Sequence, residues 1–390
     1  MREVLAVLVL LASISTYFSA SGKTIFYLVF LAVFFAYVFS RGIKELRNKS
    51  LLVIPAGYFL ATVMSLVINY QYVSEDAFQS LLYPFIFLLV LLGAYRILQD
   101  LGYWGSRLII LFFVANGLTA ALSVLGVFSS LPLFGEILRG RYIFGTNIAS
   151  SAGLIWNVNY YSITQLLGFW LSIFCFHYFR FNRYWIGVSI LIGASIIFGS
   201  SRSVSLSFIA SLAMYLYLNS SVSLKRLFEV GGGVLVFFLG ALYTYVANDA
   251  DLSVSLRVDR GLNGRDELWE YAFGLFEKSP VFGIFSIAEI ERLLVADAGS
   301  ANTTLQNTFL FTLIRLGIFG VFFLLLFVLA CIIGFIGNKN KTKADFALFC
   351  CFLCLIFDSM VRTYSLGGIG FGPLMLAVCG CNLLMGKKTV

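Results

Sequence analysis

The side chains able to do chemistry in this sequence are few in kind, and arginine leads them. The single histidine, His177, stands between Phe176 and Tyr178 at the end of an apolar run. One imidazole so placed supports neither a Ser-His-Asp relay nor a His-rich metal centre. The seven cysteines, Cys175, Cys331, Cys350, Cys351, Cys354, Cys379 and Cys381, all fall inside apolar runs. Cys351 and Cys354 have CxxC spacing, but no histidine or acid stands near them in sequence, so they read as packing residues. Asp249 and Asp251 have the spacing to hold a divalent ion through oxygen, and a plain acidic loop has the same spacing. Neither a metal nor a cofactor is expected.

The arginines are a different matter. Arg139, Arg141, Arg202, Arg257, Arg260, Arg265, Arg292, Arg315 and Arg362 fall, by the topology below, on one side of a membrane, with only Lys23 and Lys278 beside them. A guanidinium presents a planar fork that binds phosphate oxygens in pairs, which an ammonium cannot match. Arg202 lies in Gly199-Ser200-Ser201-Arg202-Ser203, at the join of two apolar runs with no acid near it in sequence. A charge near membrane depth costs about 2.5–3.5 kcal/mol on insertion scales, so it normally has a partner or a task. A helix-end arginine that snorkels to the surface is the plain alternative, and Arg139, Arg257, Arg260 and Arg292 fit it equally well. Arg315 falls within the apolar run that begins near Asn307 and should face a bundle interior or a cavity. Asp358 and Arg362 are spaced to pair on a helix, and a structural salt bridge is the default reading of them. The chemistry that suits these parts is displacement at a carbon bearing a diphosphate leaving group. Arginines would stabilise the charge that builds on the departing diphosphate without a metal. A polyprenyl diphosphate would reach such a site from the bilayer.

The elements that must position these residues are membrane helices. Of 390 residues 60% are hydrophobic and 12% charged, and 108–135, 142–179, 203–224 and 363–386 carry no Asp, Glu, Lys or Arg. Each such run supplies the roughly 20 apolar residues that cross a bilayer. Twelve candidate spans lie near 4–20, 24–40, 51–69, 78–95, 108–127, 160–179, 184–200, 203–219, 228–247, 308–336, 344–358 and 364–386. The start resembles a secretion signal, with Arg2 before an apolar stretch, but the alternation of loops closes only if it is kept as the first helix. One side then holds 16 of the 27 Lys and Arg and 5 of the 19 acids. The positive-inside rule puts that side, with both termini, in the cytoplasm. The net charge of +8 therefore reflects orientation, and nucleic acid is not needed to explain it.

The expected architecture is one all-α polytopic membrane domain over 1–390, with an outer polar segment at 128–159 and a large outer loop at 248–307. That loop carries a helix signal. Asn263-Gly264 precedes Arg265, Asp266 and Glu267 occupy the first turn, and Leu268, Trp269, Ala272, Phe273 and Phe276 repeat at helical spacing before Ser279-Pro280 ends it. Such a helix is suited to lie on the outer membrane surface or over a cavity.

Several motifs stand in a telling order: Arg265-x-x-x-Trp269, Phe276-x-x-x-Pro280-x-x-Gly283, Gln306-Asn307-x-x-Leu310 and Gly317-x-x-Gly320. Upstream are Gly199-Ser200-Ser201-Arg202-Ser203 and Asn157-Val158-Asn159-Tyr160. Together, over roughly 140–325, they resemble the O-antigen ligase/polymerase family of bacterial surface-polysaccharide enzymes. The family pattern has His-Asn where Gln306-Asn307 stands, an acid where Arg315 stands, and Asn-Pro-Asn where Val158 replaces the Pro. The missing His turns the resemblance from a ligase towards a Wzy-type polymerase. It implies a helical GT-C-type bundle in the bacterial inner membrane that transfers a growing glycan from undecaprenyl diphosphate onto a lipid-linked repeat unit. By carry-over, Arg202, Arg265 and Gln306 would be catalytic, with the two arginines on the diphosphate. Arg141, Asn159, Tyr160, Asn307, Arg315 and Arg362 would bind donor or acceptor. A flippase and a chain-length regulator would be its partners. The rivals are a ligase acting on lipid A core, a twelve-helix transporter or flippase, and a non-catalytic assembly protein, which an arginine placed like Arg202 makes less attractive. Against a flippase stand the absence of a six-plus-six repeat and the arginine-rich outer loop.

Overall fold

The computed structural model describes residues 1–18, 23–41, 49–69, 77–92, 94–125, 150–155, 157–199, 201–220, 265–284, 289–290, 292–293, 307–360, 362 and 370–385. Every regular element among them is helical. In chain order they are α1 (Arg2–Ser15), α2 (Lys23–Arg41), α3 (Val53–Ile68), α4 (Ala77–Leu92), the one-turn α5 (Ile97–Asp100), α6 (Gly102–Val124), α7 (Val158–Tyr178), α8 (Tyr184–Ser195), α9 (Arg202–Asn219), α10 (Arg265–Lys278), α11 (Thr308–Gly337), α12 (Lys343–Ser359) and α13 (Phe371–Met385).

Among the described residues three helices are long and apolar enough to cross a membrane: Thr24–Arg41 of α2, α6 and α11. A fourth span is counted if α4 and the bent turn that follows it, through Asp100, are taken as one. The described residues are thus those of a helical membrane protein. Shorter apolar helices, among them α3, α9 and α13, fill other runs of the sequence, and the run at 228–247 lies outside the described residues. The outward surface fits lipid. On α11, Ile318, Phe322, Leu325, Leu329, Ile333 and Ile336 are exposed at steps of three and four, a continuous apolar stripe along one face. In water that stripe would be a large exposed patch of the kind soluble chains avoid.

The core lies around α7 and α13. In α7 most residues from Val158 to Cys175 are buried, and in α13 Phe371 through Cys381 are buried without interruption. Helix α12 packs on α7, α9 and α13, and α11 packs on α3 and α13. All seven cysteines are reduced and buried in this interior. One end of the bundle gathers the basic side of the sequence: Arg41 pairs with Asp100, Glu3 accepts from the Gly105 amide, and Tyr178 lies within electrostatic reach of Arg96, Asp100 and Asp345.

Helix boundaries follow local chemistry. Thr342 and Asp345 form a reciprocal capping box at the start of α12. Helix α6 begins at Gly102, six residues before the apolar run read from sequence, because the Arg107 guanidinium stacks on the Tyr103 ring at 4.0 Å and is carried at the apolar edge. The helix read in the outer loop is present as α10, from Arg265 to Lys278, and packs on α11. Residues 150–155, read as part of a polar outer segment, are largely buried. The Asn116 carboxamide accepts from the Leu154 amide, and the Phe198 carbonyl accepts from the Ser151 amide. Those bonds satisfy the irregular backbone and allow it to leave solvent.

Candidate functional site

Helix α11 is broken. At Gly317 the backbone takes φ 65° and ψ −164°, far from helical values. Unbroken, 30 residues would run about 45 Å, half as long again as the hydrocarbon core. The groups released by the break are satisfied by the turn that follows α10. The Ile284 amide donates to the Ile314 carbonyl at 2.7 Å, and the Ile318 amide donates to the Pro280 carbonyl at 2.9 Å. From α3, the Ser65 hydroxyl donates to the Arg315 carbonyl and the Asn69 carboxamide donates to the Gly283 carbonyl, each at 2.9 Å. Non-helical backbone at membrane depth is tolerated only where protein pairs its polar groups, and here it does. The contact requires two glycines. Gly283 and Gly317 both have positive φ, and a Cβ on either would fall within 2.5 Å of backbone atoms of the other strand of the contact. So Pro280-x-x-Gly283 and Gly317, read apart in the sequence, are the two halves of one junction.

This junction leaves Arg315 on the last turn before the break, with its side chain only 2% exposed. The sequence expectation of an inward-facing arginine matches that burial.

The opposite feature is a meeting of helix ends. The Arg362 guanidinium is paired with Asp358 at 2.7 Å, and Asp358 is fully buried. Its Nη2 also reaches the Ser201 hydroxyl at 3.5 Å, directly before α9. The Arg362 carbonyl accepts from the Thr308 hydroxyl at 2.8 Å, which ties the same residue to the first turn of α11. The Tyr17 and Tyr160 rings stack at 4.6 Å, Tyr17 accepts from the Gly372 amide, and Tyr17 lies within electrostatic reach of Arg362. The end of α1 and the starts of α7, α9, α11 and α13 therefore converge around the end of α12. Helix α9 begins at Arg202, and Ser201 makes no side-chain cap to it. Its first amides thus add the positive end of a helix dipole beside the Arg362–Asp358 pair.

The sequence-chosen residues distribute as follows. Tyr160, Asn307 and Arg362 stand at this meeting point, and Asn159 lies one residue from it in the first turn of α7. Arg202 starts α9 and Arg265 starts α10, while the side chains of both lie outside the described residues, as do Arg141 and Gln306 entirely. Asn307 has a structural use: its Oδ1 accepts from the Leu310 amide at 3.0 Å as the N-cap of α11. Asn157 does the same for α7, accepting from the Asn159 amide. The expected pair Asp358–Arg362 is formed, and it is more than a local i,i+4 bridge because it joins α12 to the starts of α9 and α11. Sequence reading missed Tyr17, Ser65, Asn69, Ser201 and Thr308. The one signal for the α3 pair was two polar residues four apart at the end of an apolar run. No family model, curated protein or solved structure matches the chain.

Proposed function

We propose that the chain is a membrane glycosyltransferase that polymerises undecaprenyl-diphosphate-linked oligosaccharide repeat units, at the outer face of a bacterial inner membrane. What supports this best is the meeting of Arg362 with the uncapped start of α9, the helix that Arg202 begins. Two guanidinium-bearing residues and a helix N-terminus at one place form a ground for a diphosphate. In the reaction an acceptor hydroxyl oxygen bonds to the anomeric carbon of the donor glycan and its proton passes to solvent. The carbon–oxygen bond to the diphosphate breaks, and its electron pair leaves on undecaprenyl diphosphate. Positive charge held in a low-dielectric site stabilises that leaving group without reorganising in the transition state.

In this reading the full chain makes about twelve crossings in a GT-C-type bundle with both termini cytoplasmic, and works beside a flippase and a chain-length regulator. Helix α10 packs on α11, and in this reading Arg265, at its start, would contact the donor diphosphate. Tyr160, backed by Tyr17, offers a ring face on which a sugar can stack.

The test is polymerisation by purified protein in detergent with lipid-linked repeat units, wild type beside Arg202→Ala and Arg265→Ala. A glycan ladder with wild type, and its loss in both variants while they elute monodisperse with unchanged helical circular dichroism, upholds the reading. Lipid translocation in vesicles without any ladder replaces it with a transporter.

A further inference from the structure

At the basic end of the bundle, the starts of α6 and α8 form a patch that the transfer reaction does not use. The Arg107 guanidinium lies against four aromatic rings, those of Tyr103, Trp104, Phe181 and Trp185, at 4.0–5.7 Å from their centroids. It donates to the Tyr103 hydroxyl and forms no ion pair among the described residues. Two donors in the cluster, Arg107 Nε and the Trp185 indole N–H, are buried and have no hydrogen-bond partner among the described residues. The turn that supplies Phe181 and Trp185 also carries Arg180 and Arg183, both exposed. The nearest acid on the neighbouring helix, Glu3, is engaged by the Gly105 amide. Around these charges Trp104, Tyr184 and Leu108 are exposed, at 69%, 57% and 59%. That mixture of exposed indole, phenol and aliphatic side chains belongs to the boundary between lipid tails and headgroups.

A second observation concerns the backbone. Arg180 has φ 52°, the one positive φ at a non-glycine residue among those described. It occupies the left-handed position of a Schellman turn that ends α7, in which the Phe181 amide donates to the Phe176 carbonyl at 3.0 Å. Glycine normally fills that position, because a Cβ there is strained. An arginine is kept at a strained site, exposed near Arg107 and Arg183, and none of the three forms an ion pair among the described residues.

We infer that this patch binds the phosphate of an anionic phospholipid, in the leaflet at the basic end of the bundle. Arg107, Arg180 and Arg183 supply the charge, the aromatic rings supply the boundary contact, and the acyl chains lie along the apolar outer face of α6 and α8. The phosphate oxygens accept from the exposed Arg180 and Arg183 guanidiniums, beside the stacked charge of Arg107. The inference is independent of the transferase reading.

The experiment is native mass spectrometry and thermal melting of the full-length protein in detergent. The probes are dioleoyl phosphatidylglycerol, dioleoyl phosphatidylcholine and inorganic phosphate, each added separately. Wild type should retain and be stabilised by phosphatidylglycerol and by neither of the others. Each guanidinium removed should weaken that binding roughly fivefold. Arg180→Gly is the discriminating variant: it relieves the strained turn, so the melting temperature without lipid should rise while phosphatidylglycerol binding falls. Arg183→Gln, on an exposed turn, should weaken binding at unchanged melting temperature, so a folding defect cannot mimic the result. Equal retention of the two lipids, the same stabilisation by free phosphate, or undiminished binding in the variants overturns the proposal.

Discussion

Replacing Gly317 by alanine tests the junction between α11 and the turn after α10 at its tightest point. At φ 65° and ψ −164° the residue sits in a region essentially confined to glycine, and an alanine there costs about 1–3 kcal/mol in backbone strain alone. The added Cβ would also lie 2.1 Å from the Val281 carbonyl oxygen and 2.5 Å from the Phe282 nitrogen. Neither is a side chain that can swing away. The turn itself must withdraw, which breaks the Ile284–Ile314 and Ile318–Pro280 hydrogen bonds. Each buried group left unpaired costs about 1–3 kcal/mol. The total is at least about 3 kcal/mol, a large part of the stability of an ordinary domain. The assay is thermal unfolding in detergent followed by size-exclusion, with Gly283→Ala as a second probe of the same contact. Gly187→Ala and Gly274→Ala serve as controls, because a Cβ at either meets nothing within 4 Å and alanine favours a helix by about 1 kcal/mol. Both junction variants should melt far below wild type and the controls at or above it. A Gly317→Ala protein that melts with wild type would refute the junction as described.

Arg362→Gln leaves the fully buried Asp358 carboxylate without its partner and should destabilise by about 3–5 kcal/mol, whereas adding Asp358→Asn should recover much of the loss; melting of the two single variants and the double variant closes that cycle. Asn307→Ala should cost about 0.5–2 kcal/mol by uncapping α11, and Asn307→Ser should restore the melting temperature. If Asn307 also holds a substrate hydroxyl, the serine variant will remain slow in the polymerisation assay despite its restored stability. Arg202→Ala and Arg265→Ala should abolish the ladder without changing the melting temperature, and phosphatidylglycerol retention should fall with each of Arg107, Arg180 and Arg183.

Much of the fold is legible in the residues themselves. Charge-free runs mark the helices, because a backbone in lipid must pair its own polar groups. Helix α10 could be read from Asp266 and Glu267 in its first turn and from the Ser279-Pro280 stop. The i,i+4 spacing of Asp358 and Arg362 foretold their pairing, and the position of Arg315 in an apolar run foretold its burial. Less could be read where a residue acts through distant backbone. Asn307 was read for polar chemistry and closes the start of α11, as Asn157, noted only as part of a motif, does for α7. Nothing local in residues 150–155 marks them for burial, since the groups that satisfy them, Asn116 and Phe198, come from other elements.

Composition and spacing were enough to read a membrane protein built of helices, and where most of those helices begin and end. These follow from composition and from spacing along one chain, which act within a few residues. Only the tertiary structure decided that Pro280, Gly283 and Gly317 form one junction with Ser65 and Asn69, that Tyr17 backs Tyr160, and that Arg362 links the starts of α9 and α11. Those contacts join residues far apart in the chain, and a hydrogen bond between them exists only once packing has brought the two backbones within 3 Å or so of each other.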